Sequence, residues 1–377
     1  MSLIFNYHKD LAKVMPLKAE YLRNQVINLK NIFQPEQKTK EWYDMRNTML
    51  TASDWGTILG ENHYSNSNEV LKKKCGDNTF ITNAAMQWGN KYESVAVLIY
   101  EKRNNVIVYE FGCLKHPFID FLGASPDGIT GEGIMLEIKC PSSRKITGIP
   151  PSYYWCQVQG QLEVCDLDRC DFLECSIKEY LNELEYANDN YCNNFDLNKF
   201  GNEKGVVAEF FRKIDKTFYY DYSPIGLIGR DLEIWKENII LKHESDEVMF
   251  SCFSYWYLEE VSCVPIYRNQ EWFNNAKTEL ELFWHKVLKY RELGLDKLKE
   301  DIQKEKDDKK NEKIQLKEEN QSKKVKKDTK KTDLKPKKNQ KKIRDFITLD
   351  DINNEMTISS SDDDDFVFST QTNASLF

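Results

Sequence analysis

The spacing of apolar positions changes several times along the first half of the chain, and each change marks an element. From Trp88 to Tyr100 apolar residues recur at helical spacing, which predicts a helix. Asn105 to Glu110 alternates, with Val106, Ile107, Val108 and Tyr109, and reads as extended chain. Phe111 to Leu122 continues in short apolar pieces broken by Gly112 and Pro117. Gly123-Ala-Ser-Pro-Asp-Gly128 follows, then a tight Gly131-Glu-Gly133 turn, then Ile134-Met-Leu-Glu-Ile-Lys139 before Cys140 and Pro141. This predicts a β-hairpin: one strand ends near Asp127, and the other runs to Lys139, where Pro141 stops it. Tyr153 to Val164 reads as a second helix and Cys170 to Ile177 as a further strand. A helix, a hairpin, a helix and a strand in this order specify an α/β domain with a mixed central sheet.

The pattern fails after residue 296. Residues 1–296 carry the aromatic and apolar positions of a globular domain, whereas 301–345 hold no aromatic residue and are dominated by Lys, Glu, Asp, Gln and Asn. Such a segment cannot bury enough apolar surface to offset the entropy of ordering. Asp301 to Asn320 pairs acids and bases at helical spacing and reads as a solvated helix. Residues 321–345 carry twelve Lys and Arg against three Asp, and 346–377 carry seven acidic residues and no basic one. The division is therefore a domain over 1–296, a charged linker over 297–345 and an acidic disordered tail over 346–377. The last 77 residues sum to +1, so the globular part carries −9 against a net charge of −8. A nucleic-acid channel there must be locally basic within an acidic body.

Strand periodicity gives the hairpin its chemistry. Residues two apart share a face, so Glu137 and Lys139 point together while Ile138 turns into the core. The short turn lets Asp127 lie beside Glu137. Two carboxylates and an ammonium at one place suit phosphodiester hydrolysis. Magnesium is held by one or two carboxylates with waters and phosphate oxygens. The bound water is acidified for attack, and a neighbouring lysine orients or deprotonates it and adds positive charge. The same trio, taken alone, also fits an exposed ion pair between Glu137 and Lys139. The ten cysteines contain no CxxC pair, which favours reduced, mostly buried thiols over a zinc or iron–sulfur centre. The N-terminus has no secretory pattern and no stretch is long and apolar enough to span a membrane, so a cytoplasmic or nuclear location is expected.

Several short blocks occur in order: Glu41-Trp42 with Arg46, then Leu50-Thr-Ala-Ser53; Trp88-Gly89 with Glu93; Ser125-Pro-Asp127-Gly128; Leu136-Glu137-Ile138-Lys139-Cys140-Pro141; and Cys156-Gln157-Val158-Gln159. Together they resemble the phage lambda exonuclease group, the YqaJ-type viral recombinase nucleases, over roughly Gln34 to Ile177. The resemblance implies a PD-(D/E)XK, restriction-endonuclease-like core. It implies a magnesium-dependent 5′-to-3′ exonuclease on linear duplex DNA, with manganese able to substitute, serving viral-type recombination, repair or end processing. By the same resemblance, Asp127, Glu137, the Ile138 carbonyl and Glu93 are metal ligands, Lys139 serves the attacking water and Gln157 supports the site. Arg46 and Ser53 hold a 5′-phosphate, for which a guanidinium fork and a hydroxyl are suited. Surface pairing of Arg46 and helix capping by Ser53 are the plain alternatives. Expected partners are duplex DNA ends, a single-strand annealing protein and further copies of the chain. Competing functions are a structure-specific or RecB-like endonuclease and a non-catalytic recombination scaffold. Residues 180–230 are not explained by the family core.

In the basic segment, Gln340, Ile343, Phe346 and Ile347 have the spacing of a sliding-clamp-binding motif, with Ile347 where an aromatic residue is usual. The flanking lysines also suit a nuclear import signal or a DNA-binding arm.

Overall fold

A computed structural model describes residues 15–77 and 83–332, with side chains to residue 315. The basic residues from 333, the motif at Gln340, Ile343, Phe346 and Ile347, and the acidic tail lie outside the described residues. The first compact unit runs to Asp308 and the second begins at Lys309. The elements of the first are α1 (Pro16–Asn31), α2 (Lys40–Asn47), β1 (Leu50–Thr51), α3 (Ala52–Ile58), α4 (Ser67–Lys74), α5 (Ala84–Asn104), β2 (Val108–Tyr109), β3 (Leu114–Lys115), β4 (Leu122–Ala124), β5 (Gly128–Thr130), β6 (Ile134–Lys139), α6 (Ser152–Cys165), β7 (Arg169–Glu179), α7 (Glu183–Asn188), β8 (Lys204–Arg212), β9 (Thr217–Tyr222), α8 (Gly229–His243), β10 (Val248–Tyr267) and α9 (Gln270–Leu293). A last helix, α10 (Leu295–Thr332), begins in the first unit.

The main sheet has the order β2-β5-β6-β7-β10-β8-β9. Only β6 and β7 pair in parallel, joined by the crossover helix α6; the remaining neighbours are antiparallel. The sheet is therefore mixed, as expected. The hairpin differs in one respect. The strand preceding Asp127, β4, leaves the main sheet and pairs with β1 and β3 in a small second sheet. Asp127 thus stands at the start of β5 rather than at the end of a strand. Pro126 forces this break by interrupting the ladder.

Both faces of β6 are covered, which explains its nearly continuous apolar run. On one face Met135, Cys170 and Phe172 pack with Val158 and Leu162 of α6 and with Leu22, Val26 and Leu29 of α1. On the other, Leu136, Ile138, Leu173 and Cys175 pack with Tyr92, Val95, Ala96 and Ile99 of α5. Helices α3 and α6 meet closely: a Cβ at Gly160 would come within 2.8 Å of the Trp55 ring. Asn83 caps α5, accepting from Met86 N, and Asn105 ends it in the left-handed conformation, which Asn tolerates.

Residues 180–230, which the family core leaves unexplained, and the strand that follows them widen this sheet. The 20-residue β10 pairs along its second half with β7 and along its first half with β8, and β9 closes the edge. A cluster around buried Lys91 fastens the addition to the core. Lys91 of α5 donates to Glu179 on β7 (2.6 Å), Glu209 on β8 (2.7 Å) and Ser254 on β10 (2.8 Å). Lys91→Met leaves two carboxylates without their countercharge. The carboxylates are partly solvated, so the cost is expected to be about 1–3 kcal/mol, below that of a fully buried pair, read as a lower urea midpoint.

The boundary drawn at residue 296 is too early. Leu298 and Ile302 are buried in the cluster of Leu50, Trp55, Leu71, Phe273, Leu280 and Val287. The start of the charged helix thus has one apolar stripe, which an averaged composition conceals. All ten cysteines are free, six of them buried. Among the described residues, no helix is long and apolar enough to cross a membrane.

Candidate active site

Asp127 and Glu137 meet at the end of β6. The Asp127 Oδ2 accepts a 2.6 Å hydrogen bond from the backbone N–H of Ile138, so its carboxyl lies against the strand beside Glu137. Glu137 has no exposed surface. One of its oxygens accepts from Lys139 Nζ and, at 2.7 Å, from Gln157 Nε2; the other accepts from Gln161 Nε2 at 2.6 Å. Ile138 is buried on the opposite face with the α5 cluster, as the strand period requires. Lys139 also lies 4.8 Å from the ring centre of Tyr154. Glu93 comes from α5 to the same end of the strand and lines, with Ile138, Lys139, Asn90, Arg144 and Tyr154, an open pocket of about 510 Å³.

The electrostatics are those of crowded carboxylates. Burial pushes the Asp127 carboxyl well above the usual range, and Glu137 and Glu93 push it further. Glu93 is also raised by burial, with Lys38 and Lys139 opposing the rise. Burial alone would lower Lys139, but Glu137 and Asp127 outweigh it and raise the ammonium above its ordinary value. The site therefore crowds three carboxyl groups around one lysine held as an ammonium, and Asp127 and Glu93 resist losing their protons.

Arg46 and Ser53 form a second group. Arg46 Nη2 donates to Ser53 Oγ at 3.0 Å, and Nη1 donates to Ser125 Oγ at 3.2 Å. The guanidinium stacks over Trp42 at 4.3 Å, and the Trp42 indole N–H also donates to Ser125. Neither plain alternative holds: Asp44 pairs with Lys40 rather than with Arg46, and α3 starts at Ala52 with Thr51 at the cap position. Since Ser125 is two residues before Asp127, the loop joins the two groups.

A family model for the YqaJ-like viral recombinase domain matches residues 41–168, the stretch from α2 through α6 that holds both groups. Over that stretch the chain is similar to the YqaJ-like viral recombinase domain. An uncharacterized protein of Acanthamoeba polyphaga mimivirus is 33% identical over 344 residues, covering 81% of this chain. The chain spans 63% of the length of that relative. Protein D345L of African swine fever virus (strain Badajoz 1971 Vero-adapted) is 27% identical over 160 residues, 34% of this chain and 46% of that protein. Among solved structures, an alkaline exonuclease (LHK-Exo) from Laribacter hongkongensis aligns with a TM-score of 0.41 at 21% identity, over 71% of this chain and 99% of that one.

Three side chains within the matched stretch were not singled out from the sequence. Gln161 is the second amide on Glu137, and its signal was its position one helical turn after Gln157. Ser125 stood inside the Ser-Pro-Asp block but joins Arg46 only through the fold. Arg144 lines the pocket and pairs with Glu174, which sits opposite Lys139 in the β6–β7 register. Nothing local in the sequence connects that pair.

Proposed function

We propose that the chain is a divalent-cation-dependent deoxyribonuclease that degrades linear duplex DNA from its ends, with 5′-to-3′ polarity and magnesium as the ordinary cation. The observation carrying this reading is the convergence of Asp127, Glu137 and the Lys139 ammonium at the end of β6. The donor set suits a hard cation. Among the described residues no three His, Cys, Asp or Glu side chains converge as a finished cage. Magnesium does not require one, since one or two carboxylates with waters and phosphate oxygens suffice. Asp127, Glu137 and the Ile138 carbonyl would hold the cation, with Glu93 available for a second, and manganese can replace magnesium with the same oxygens. The chemistry that a cation held by these oxygens would supply is charge neutralisation at the phosphate and acidification of the attacking water.

The other groups act through position. Lys139, held as an ammonium, donates to the water and to the developing charge, and does not take the proton. Gln157 and Gln161 fix the Glu137 carboxylate by one amide on each oxygen. Arg46, Ser53 and Ser125 receive the terminal 5′-phosphate, which sets which end enters. Family members among viruses suit a role in recombination or end processing, where a strand-annealing protein and further copies of the chain are the natural partners.

A time course on end-labelled duplexes tests polarity, end requirement and cation dependence together. Loss of linear but not closed circular DNA, with release from 5′ ends, is expected. Cutting of closed circles would instead favour the endonuclease. Arg46→Ala is expected to reduce the preference for phosphorylated over hydroxyl ends by about tenfold or more, since charge-assisted contacts are worth about 1.5–3 kcal/mol. It should leave the cation requirement unchanged.

A further inference from the structure

The helix that carries Arg46 is poorly secured by packing. None of the residues of α2 is buried, and an eight-residue helix does not hold itself together in water. Its C-terminal end is fastened by two cations from elsewhere. Lys74, the last residue of α4 and only 3% exposed, donates to the carbonyl of Arg46 at 2.9 Å and to that of Met49 at 2.7 Å. Arg291 of α9 donates through Nη2 to the carbonyl of Asn47 and through Nε, at 2.9 Å, to the carbonyl of Lys74. The carbonyls of Arg46, Asn47 and Met49 are at or just beyond the end of α2 and that of Lys74 is at the end of α4, where carbonyls lack helical partners and positive charge is favoured. Lys74 also pairs with buried Asp54 at 3.1 Å. Asp54 accepts from Thr51 Oγ1, which lies 3.3 Å from Ser53 Oγ. Both sides of the Arg46–Ser53 pair therefore connect to the same lysine.

We infer that Arg291, acting with Lys74 on the backbone of α2, is a positioning residue for 5′-phosphate recognition by Arg46. The C-terminal helix α9, outside the segment matched to the YqaJ-like domain, thereby sets the end preference of a site to which it contributes no ligand contact. Arg291 reaches the phosphate only through the carbonyls it holds. A shift of about 1 Å at a positioned group can cost up to about a hundredfold, and a guanidinium fork is sensitive to such a shift. The inference rests on the reading of Arg46 as the phosphate contact, and the experiment separates the two.

Single-turnover digestion by the full chain is measured on duplexes with 5′-phosphate or 5′-hydroxyl ends, for wild type, Arg46→Ala, Arg291→Met and Arg291→Lys. Arg291 is exposed, so its replacement leaves the core intact. Arg291→Met is expected to lower the rate on phosphorylated ends about tenfold and to leave the rate on hydroxyl ends within about twofold. Arg291→Lys keeps one cationic donor and recovers part of the difference. Two results would overturn the inference while leaving Arg46 in place: an Arg291→Met ratio equal to wild type beside a collapsed Arg46→Ala ratio, or an equal fall on both ends, the mark of a merely structural contact. If the wild-type enzyme digests both ends equally, the Arg46 reading fails, and the inference fails with it.

Discussion

Lys139→Met is expected to lower the cleavage rate by about a hundred- to a thousandfold, the range for removing one preorganised donor from a reaction site, while DNA affinity stays within about threefold. Methionine keeps the length and apolar contact of the side chain beside Tyr154 and removes only the ammonium. Glu137 keeps both glutamine donors but loses its charge partner, so the carboxyl becomes a buried anion held by neutral groups. In chelator the variant should therefore melt below wild type, because a buried charge has lost its countercharge. Arginine is not a substitute. Its planar fork is larger than an ammonium and cannot occupy the space between Glu137 and the Tyr154 ring without moving one of them. Equal single-turnover rates for Lys139→Met and wild type would remove the proposed centre.

What the sequence disclosed, and what it did not, follows from the range of each interaction. The hairpin was legible because its signals are local: alternation through Ile134–Lys139, the Gly131–Gly133 turn, and Pro141 as a stop. Glu137 and Lys139 share a face for the same reason. The start of the first hairpin strand was misplaced because Leu122–Ala124 is apolar enough for the main sheet, and only its pairing with Leu50 and Leu114 assigns it to the small one. Arg46 and Ser53 came from motif spacing, and the fold adds Ser125, 79 residues from Arg46. The anchoring of α2 left no trace that sequence pattern can register. Arg291 bonds to carbonyls 217 and 244 positions away, and a carbonyl has the same chemistry whatever its side chain. The widening of the sheet by β8, β9 and β10 was hidden for a related reason: the strands are joined through an Asn- and Tyr-rich stretch, and β10 reaches back to β7 only in three dimensions.

The crowding of carboxyl groups around Asp127 has a consequence for stability as well as for catalysis. Burial, Glu137 and Glu93 hold its proton to a higher pH in the folded protein than in the unfolded chain. The folded state then binds more protons than the unfolded one between the unfolded pKa, about 3.9, and the raised folded value. Stability therefore falls as pH rises through that window. Above that raised value the metal-free fold carries the whole penalty. Asp127→Asn removes the charge and leaves an amide oxygen to accept from Ile138 N, so in chelator its melting temperature should exceed that of wild type and vary less with pH. Magnesium or manganese reverses the order. Bound at a hundred times its Kd, the cation stabilises wild type by about 2.7 kcal/mol, whereas Asp127→Asn gains little and loses cleavage by about a thousandfold, since the chemistry depends on that cation. Melting curves for both proteins, with chelator and with each cation, read binding without reference to activity. A variant that melts lower than wild type in chelator and rises equally with cation would mean that Asp127 is neither a strained carboxyl nor a ligand.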